Sequence, residues 1–226
     1  MFSNAKVPTW IVLFRLIAFL LPCWYLGESL VNSFLQDTGF GGYWRWLTIW
    51  TLTANFLVAG SMLIQCFRPG QWNWHVLATV AIAMNFNVLF SYWSLYFTDP
   101  TLVQGDTQIP LHRQMYLHIA MIFIQWFDAF ALHRIWLRWK KVIGLHLAVF
   151  LGYSLWIELF LRPLSDKPVG SVTSGLPYPF LNDMVLWPER VTFYGGSLVM
   201  ASVVLAVAWG ISRLSNRWHA GDPGQG

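Results

Sequence analysis

The sequence predicts an all-α protein, a polytopic transmembrane bundle of about six helices. Hydrophobic residues make up 56% of the 226 positions and charged residues only 11%. An ordinary soluble domain carries about a quarter charged residues. The apolar residues also come in segments of about twenty, the length that crosses a hydrocarbon layer of about 30 Å. A water-soluble core cannot use so much apolar surface, so lipid is the predicted solvent.

The apolar segments define six predicted spans, in chain order 9–31, 43–67, 75–98, 113–133, 142–161 and 191–211. Turn residues such as Asp99-Pro100 separate them. A Pro/Gly-rich stretch, 163–188, lies within the 162–190 segment, which is predicted to form an outer lid or belt. The first segment resembles a signal peptide, but it continues past Cys23 without a small-residue cleavage site and is predicted to be a span. We therefore expect one transmembrane helical domain over 1–219 and a disordered tail over 220–226.

Lysine and arginine between the spans predict that both termini are cytoplasmic. The predicted inner side holds the larger group: Lys6, Arg68, Arg134, Arg138, Lys140, Lys141, Arg213 and Arg217. The outer side holds Arg113, Arg162, Lys167 and Arg190. Because these charges flank apolar segments, the net charge of +4 indicates topology and not a nucleic-acid partner. Without a cleavable targeting signal, the sequence is consistent with direct insertion into a bacterial inner membrane, and an endomembrane is the open alternative.

Polar residues inside the spans indicate the interior of the bundle, because an unpartnered polar group in hydrocarbon costs several kcal/mol. The second helix has a polar-to-small stripe of Thr48, Thr51, Asn55 and Ala59, and the fourth has Gln114, His118, Gln125 and Asp128. The fifth adds Ser154 and Glu158. In the sixth, Ser202, Ala206 and Gly210 predict a face of close helix approach. Either Asn85 or Asn87 is expected to bond across the bundle, and Arg15 to extend towards the inner surface.

Depth along the helices groups three of these side chains. Thr48 and His118 each lie about five residues, or about 7–8 Å, into spans that run inward, and Glu158 returns to that level on the fifth helix. Asp128 lies about 15 Å deeper than His118. A Thr hydroxyl with a His base is suited to attack on an ester carbonyl. Spacing alone favours structural roles instead, namely a Thr bonded to its own helix and a His in an interhelical bond. By spacing, Thr51 or Thr53 is almost as good a candidate for the nucleophile as Thr48.

Several motifs resemble the androgen-induced and androgen-dependent (FAR-17a-like) family of six-span membrane proteins, in a bacterial type. They are Gly42-Tyr43-Trp44-Arg45-Trp46-Leu47-Thr48, His118 followed ten residues later by Asp128, Gly152-Tyr153-Ser154-Leu155-Trp156, and Tyr178-Pro179-Phe180-Leu181 before Phe193-Tyr194-Gly195-Gly196-Ser197. The resemblance implies a Thr-dependent hydrolase of fatty acid esters of hydroxy fatty acids, with Thr48 as nucleophile and His118 as general base. One departure is that no Leu-Pro pair follows His118, which affects the expected aim of its imidazole.

The remaining site residues are assigned by geometry. Arg45 and Asn55 are candidate oxyanion donors, Glu158 is a candidate orienter of His118, and Gln125 and Asp128 are candidate pocket residues. The expected partners are membrane lipids and a lipid ester, with no nucleic acid.

No cofactor or metal is expected, since Cys23 and Cys66 lack paired metal-ligand spacing. Two alternatives remain open. One is a lipid-binding or scaffold protein that lacks catalysis. The other is a b-type haem protein with His75 and His146 as axial ligands, although histidines that contact lipid headgroups are the favoured interpretation of this pair.

Overall fold

The computed structural model describes residues 7–35, 50–67, 74–104, 109–132, 139–164, 176 and 178–220. The first helices are α1 (Thr9–Leu35), α2 (Trp50–Phe67), α3 (Trp74–Thr98) and the short α4 (Thr101–Gln104). Helix α5 (Leu111–Leu132) is continuous, and α6 joins Trp139–Leu155 to Trp156–Leu161 before a 3₁₀ turn at Arg162–Leu164. The short α7 (Pro179–Asn182) follows. A kinked turn, Leu186–Arg190, leads into α8 (Val191–Ala220).

Five of these helices are long and apolar enough to cross a membrane, and a shorter apolar helix, Ala54–Phe67, accompanies them. The predicted all-α, multi-pass fold is therefore confirmed for the described residues. The second predicted span begins at 43, so its residues 43–49 lie outside the described part of the chain. The tail beyond Ala220 also lies outside the described residues.

Successive long helices run in opposite directions, which gives the bundle two ends. The end where α3 finishes and α5 begins is called the Asp99 end, and the end where α5 finishes and α6 begins is called the Lys140 end. At the Asp99 end, the Asp99 carboxylate accepts hydrogen bonds from the backbone N–H and the hydroxyl of Thr101, at 2.9 and 2.8 Å. These bonds stabilise the ionised form and hold the pKa of Asp99 below its ordinary value. Asp99 therefore caps α4.

Helix α3 is the centre of the bundle, because it packs against α2, α5, α6 and α8. Val80, Ala83 and Met84 form a core with α6 and α8, and Ala81 joins a second core with α1 and α2. Small side chains on this helix let several neighbours approach closely. In lipid, close packing of side chains and hydrogen bonds between helices hold such a bundle together.

The face by which α8 packs differs from the sequence prediction. Ser202 and Ala206 are exposed, whereas Ala201, Val204, Leu205 and Ala208 are buried. Ser202 does not need a hydrogen-bond partner on a neighbouring helix, because its hydroxyl donates to the Leu198 carbonyl of its own helix at 2.7 Å. The buried face combines small residues with larger apolar side chains that fill the core around α3. The predicted close-approach stripe is therefore wrong.

Part of the predicted lid packs against the Asp99 end. Leu176, Phe180 and Leu181 are buried with Ile157 of α6, and Leu95 of α3 contacts the same cluster. The Asn182 side chain holds this segment by accepting from the Leu176 N–H at 2.9 Å and donating to the Leu176 carbonyl at 3.1 Å. The chain between α6 and α8 thus returns over the Asp99 end at residues 176–184.

Candidate functional site

The His118 side chain is buried on the inner face of α5. It is 8% exposed, and its ring lies flat against that of Tyr92 on α3, with centroids 3.5 Å apart and planes 7° apart. Its Nδ1 atom makes no hydrogen bond of ordinary geometry among the described residues, although the backbone of Gln114, one turn earlier on the helix, interacts with the ring. A buried imidazole that is held in place without a strong hydrogen bond at Nδ1 can accept or deliver a proton.

A π-helical turn, Tyr116–Ala120, carries His118. Such turns contain one residue more than an α-turn needs and are frequent at functional sites. No proline follows His118, so the extra residue alone changes the local helix shape here. Gln114 supports the start of the helix, since its side chain donates to the Ile109 carbonyl at 2.6 Å. The effect of the missing Leu-Pro pair on the aim of the imidazole stays a prediction.

Three buried amide side chains join α2, α3 and α5. Asn85 donates to the side-chain oxygens of Asn55 at 2.7 Å and Gln125 at 2.9 Å, and Gln125 donates to Asn55 at 2.8 Å. Because the Asn55 oxygen accepts two of these bonds, the network determines which way its amide faces. The Asn55 Nδ2 atom, on a residue with no exposed surface, has no partner within the described part of the chain. The prediction that Asn85 or Asn87 bonds across the bundle is confirmed for Asn85.

The polar stripes predicted for the second and fourth spans are buried wherever the structure describes them, whereas Ser154 and Glu158 of α6 are only partly buried. Gln114, His118, Gln125 and Asp128 of α5 are buried, as are Asn55 and Ala59 of α2. Thr48 and Arg45 lie outside the described residues, and so do the side chains of Thr51 and Thr53. The nucleophile and one candidate oxyanion donor therefore stay predictions.

Asp128 is not part of the His118 surroundings. Its carboxylate pairs with Arg15 of α1, whose Nε and Nη2 atoms donate at 2.7 and 3.3 Å. Both side chains are almost completely buried, and Arg15 Nη1 also approaches Cys66 Sγ at 3.5 Å. The prediction that Arg15 extends to the surface is wrong, because Asp128 offers the cation a partner at its own depth. This pair joins α1 to α5 near the Lys140 end.

Glu158 also has partners other than His118. The Tyr194 hydroxyl donates to its Oε1 atom at 2.8 Å, Arg190 Nε lies 3.3 Å from that atom, and Arg162 Nη1 lies 3.7 Å from Oε2. The structure thus places this carboxylate between α6 and α8. The bond from Glu158 to His118 that an orienting role requires is not among the contacts of the described residues.

His146 lies inside the bundle. It is 2% exposed, and its Nε2 atom is 3.4 Å from Ser202 Oγ on α8. The interpretation of His146 as a histidine that contacts headgroups is therefore wrong. The side chain of His75, its proposed haem partner, lies outside the described residues. Within the described part of the chain, no group of three or more potential metal ligands occurs.

Sequence reasoning missed three residues of these clusters. Tyr92 stands in an aromatic run near a span end, which is typical of a membrane interface and gives no sign that it stacks on His118. Arg190 was treated only as a loop charge. Tyr194 belongs to the Phe-Tyr-Gly-Gly motif, which was a signal for its position but not for its bond to Glu158.

The chain was compared with known proteins. A family model described as FAR-17a/AIG1-like protein matches residues 10–213, which is most of the chain. No curated protein and no solved structure matches it.

Proposed function

Because the chain belongs to the FAR-17a/AIG1-like family, we propose that it is an integral membrane hydrolase of lipid esters, with Thr48 as nucleophile and His118 as general base. The substrate class is fatty acid esters of hydroxy fatty acids or similar esters. The observation that carries the proposal is the His118 imidazole, which is buried, stacked on Tyr92 and without a hydrogen bond of ordinary geometry at Nδ1 among the described residues.

The register of α2 against α5 supports the pairing of these two residues. Asn55 and Gln125 are in direct contact at 2.8 Å, so they lie at one depth. Thr48 precedes Asn55 by seven residues, and His118 precedes Gln125 by seven. Both helices run in the same direction, and seven helical residues rise about 10 Å. If α2 continues back through the predicted span that begins at 43, Thr48 and His118 therefore have similar heights.

The proposed reaction follows from these roles. The imidazole removes the proton of the Thr48 hydroxyl, the oxygen attacks the ester carbonyl, and the protonated imidazole then returns the proton to the departing alcohol. Water, activated by the same base, hydrolyses the acyl-enzyme. Arg45, one turn before Thr48, is the proposed oxyanion donor. Asn55 is about 10 Å from Thr48 along a helix, so its amide is proposed to form the floor of the pocket.

Hydrolysis by detergent-purified protein tests this proposal, with long-chain acyl esters of hydroxy fatty acids as substrates. We expect Thr48→Ala to abolish turnover and His118→Gln to lower it by at least about a hundredfold, the usual contribution of a general base. Two matched controls should keep activity. His112→Gln changes an exposed histidine of the same helix, and Thr98→Ala changes a hydroxyl that bonds only to its own helix.

The outcome decides between chemistry and fold. Loss of turnover in folded Thr48 and His118 variants alone supports the hydrolase. Equal activity, or equal inactivity, in all variants would instead leave a lipid-binding or scaffold protein that shares the family fold.

We also propose that both termini are cytoplasmic, in a bacterial inner membrane. Reporter fusions at each terminus, active on only one side of the membrane, test this topology. An external signal from either terminus would contradict it.

A further inference from the structure

The Asp99 end contains a second polar cluster, formed where α6 finishes and α8 begins. Its members are Glu158, Arg162, Arg190 and Tyr194. Arg190 is 3% exposed although it carries a full charge, and it stands at the start of the span that begins at Leu186. Glu158 lies in a π-helical turn, Trp156–Leu161. A buried arginine at the end of a span is costly unless its charge and its N–H groups are satisfied.

The charges of this cluster do not balance within the described residues. Two guanidinium groups, those of Arg190 and Arg162, share the single Glu158 carboxylate at 3.3 and 3.7 Å. The shortest bond to that carboxylate comes from the neutral Tyr194 hydroxyl at 2.8 Å. Although Arg190 Nε lies near Oε1, its geometry does not make a hydrogen bond, and the atom has no hydrogen-bond partner among the described residues. Among the described residues of this cluster, one positive charge is therefore left without a matching anion.

The surroundings indicate what kind of anion would fit. Phe193 and Ile157 line an apolar cluster beside the arginines. Leu159, Phe160 and Leu186 are exposed at the same end, where they would contact lipid chains. A guanidinium binds carboxylate and phosphate oxygens through paired N–H groups, which a single misaligned carboxylate does not use.

We propose that Arg190 and Arg162 bind the oxyanion headgroup, carboxylate or phosphate, of an amphiphile whose apolar chain lies along α6 and α8. Glu158 is the internal anion that partly neutralises the arginines when the site is empty. Among the described residues, no contact joins this cluster to His118, and the proposed binding does not depend on hydrolysis.

Binding of three probes with the same apolar chain tests the proposal on detergent-purified protein: oleate, oleyl phosphate and uncharged oleyl alcohol. We expect an anionic probe to bind and to raise the melting temperature, and oleyl alcohol to do neither. Tighter binding of oleate identifies a fatty carboxylate as the preferred ligand, and tighter binding of oleyl phosphate identifies a phosphate headgroup. If acetate or inorganic phosphate binds as tightly as either amphiphile, the site takes free anions and the lipid part of the proposal is wrong.

Variants distinguish this site from general lipid adsorption. Arg162→Gln, at a partly exposed side chain, should weaken anion binding by roughly tenfold, the value of one charge-assisted hydrogen bond. Glu158→Gln removes the internal competitor, so it should strengthen anion binding by several-fold. Arg113→Gln is the matched control, because Arg113 is another arginine at the Asp99 end, paired with Glu28 at 3.6 Å. It should leave binding unchanged.

The role of the Arg190 charge is tested in protein that lacks the Glu158 carboxylate. The double variant Glu158→Gln/Arg190→Gln is used because Arg190→Gln alone would remove one partner of Glu158 and could disturb folding. The double variant should bind anions at least about tenfold more weakly than Glu158→Gln. Equal anion affinity in wild type, Arg162→Gln and Glu158→Gln would overturn the proposal, since a purely structural cluster affects stability and leaves ligand affinity unchanged.

Discussion

The two ends of the bundle each contain a carboxylate paired with arginine, but the charges of the two clusters are matched differently. At the Lys140 end, Asp128 and Arg15 pair one to one, with two N–H groups on two oxygens and a shortest distance of 2.7 Å. At the Asp99 end, Glu158 serves two arginines at 3.3 and 3.7 Å. The first arrangement satisfies both charges internally. The second leaves positive charge, among the described residues, that a bound anion could neutralise. The first therefore suits a structural contact between helices, and the second suits a binding site.

The largest expected effect comes from breaking the matched pair. Asp128→Ala should lower the free energy of unfolding by about 3–5 kcal/mol, because it leaves Arg15 charged and buried without its partner. The double variant Arg15→Leu/Asp128→Leu should recover most of that loss. Melting temperature in nonionic detergent measures both. If the single variant melts no lower than the double variant, burying Arg15 without its partner carries no cost and the prediction is wrong.

The amide network between the two ends should show an intermediate effect. Asn85→Leu removes both bonds that Asn85 donates, which we expect to cost about 1–2 kcal/mol in a membrane bundle. Asn87→Leu is the control, because it makes the same change two residues away on the same helix. Thermal unfolding of the two variants side by side is the measurement. Equal losses would show that α3 simply tolerates leucine poorly.

A smaller effect is expected from the mismatched cluster. Tyr194→Phe removes the 2.8 Å hydrogen bond to Glu158, and the carboxylate is then free to turn towards Arg190. The net loss of stability should stay at or below about 1 kcal/mol. Chemical denaturation in mixed micelles measures it. A loss as large as that of Asp128→Ala would mean that the two clusters are equally rigid, against the contrast drawn above.

The smallest effect should come from the exposed cap of α4. The pKa of Asp99 is lowered by its bonds to Thr101, so the contribution of the cap is present above the ordinary value of 3.8 and is lost as the pH falls through the lowered pKa. Acidification, or Asp99→Ala at neutral pH, should speed hydrogen exchange at the Thr101 amide without moving the melting temperature. Unchanged exchange would show that the cap does not hold this turn.

The sequence predicted the membrane fold well, because the solvent imposes it. A span must be about twenty apolar residues long, and polar residues within it must face protein, so the interior position of His118, Gln125 and Asp128 followed from their spacing alone. Pairing between helices was less predictable. Arg15 and Asp128 are 113 positions apart, and no local pattern indicates that one helix supplies the partner of another.

The packing face of α8 and the partners of Glu158 show the same limit. Apolar residues surround α8 in every direction, so periodicity does not distinguish lipid from protein. Depth placed Glu158 at the level of His118 but said nothing about its direction around the bundle. Rotation about the helix axis, which depends on all neighbouring helices together, is the part that the sequence leaves undetermined.

The central position of α3 has a consequence for the order of assembly. During synthesis, α3 enters the membrane about a hundred residues before the part of α8 that packs on it, which at roughly 5–20 residues per second is a delay of several seconds or more. Until α6 and then α8 arrive, the face formed by Val80 and Ala83 contacts lipid, which small apolar side chains tolerate. Asn85 need not wait, because Asn55 of the already inserted α2 accepts its bond at once. Arg15, by contrast, meets its partner only when Asp128 enters with α5. The order of synthesis thus satisfies this amide first and the ion pair later.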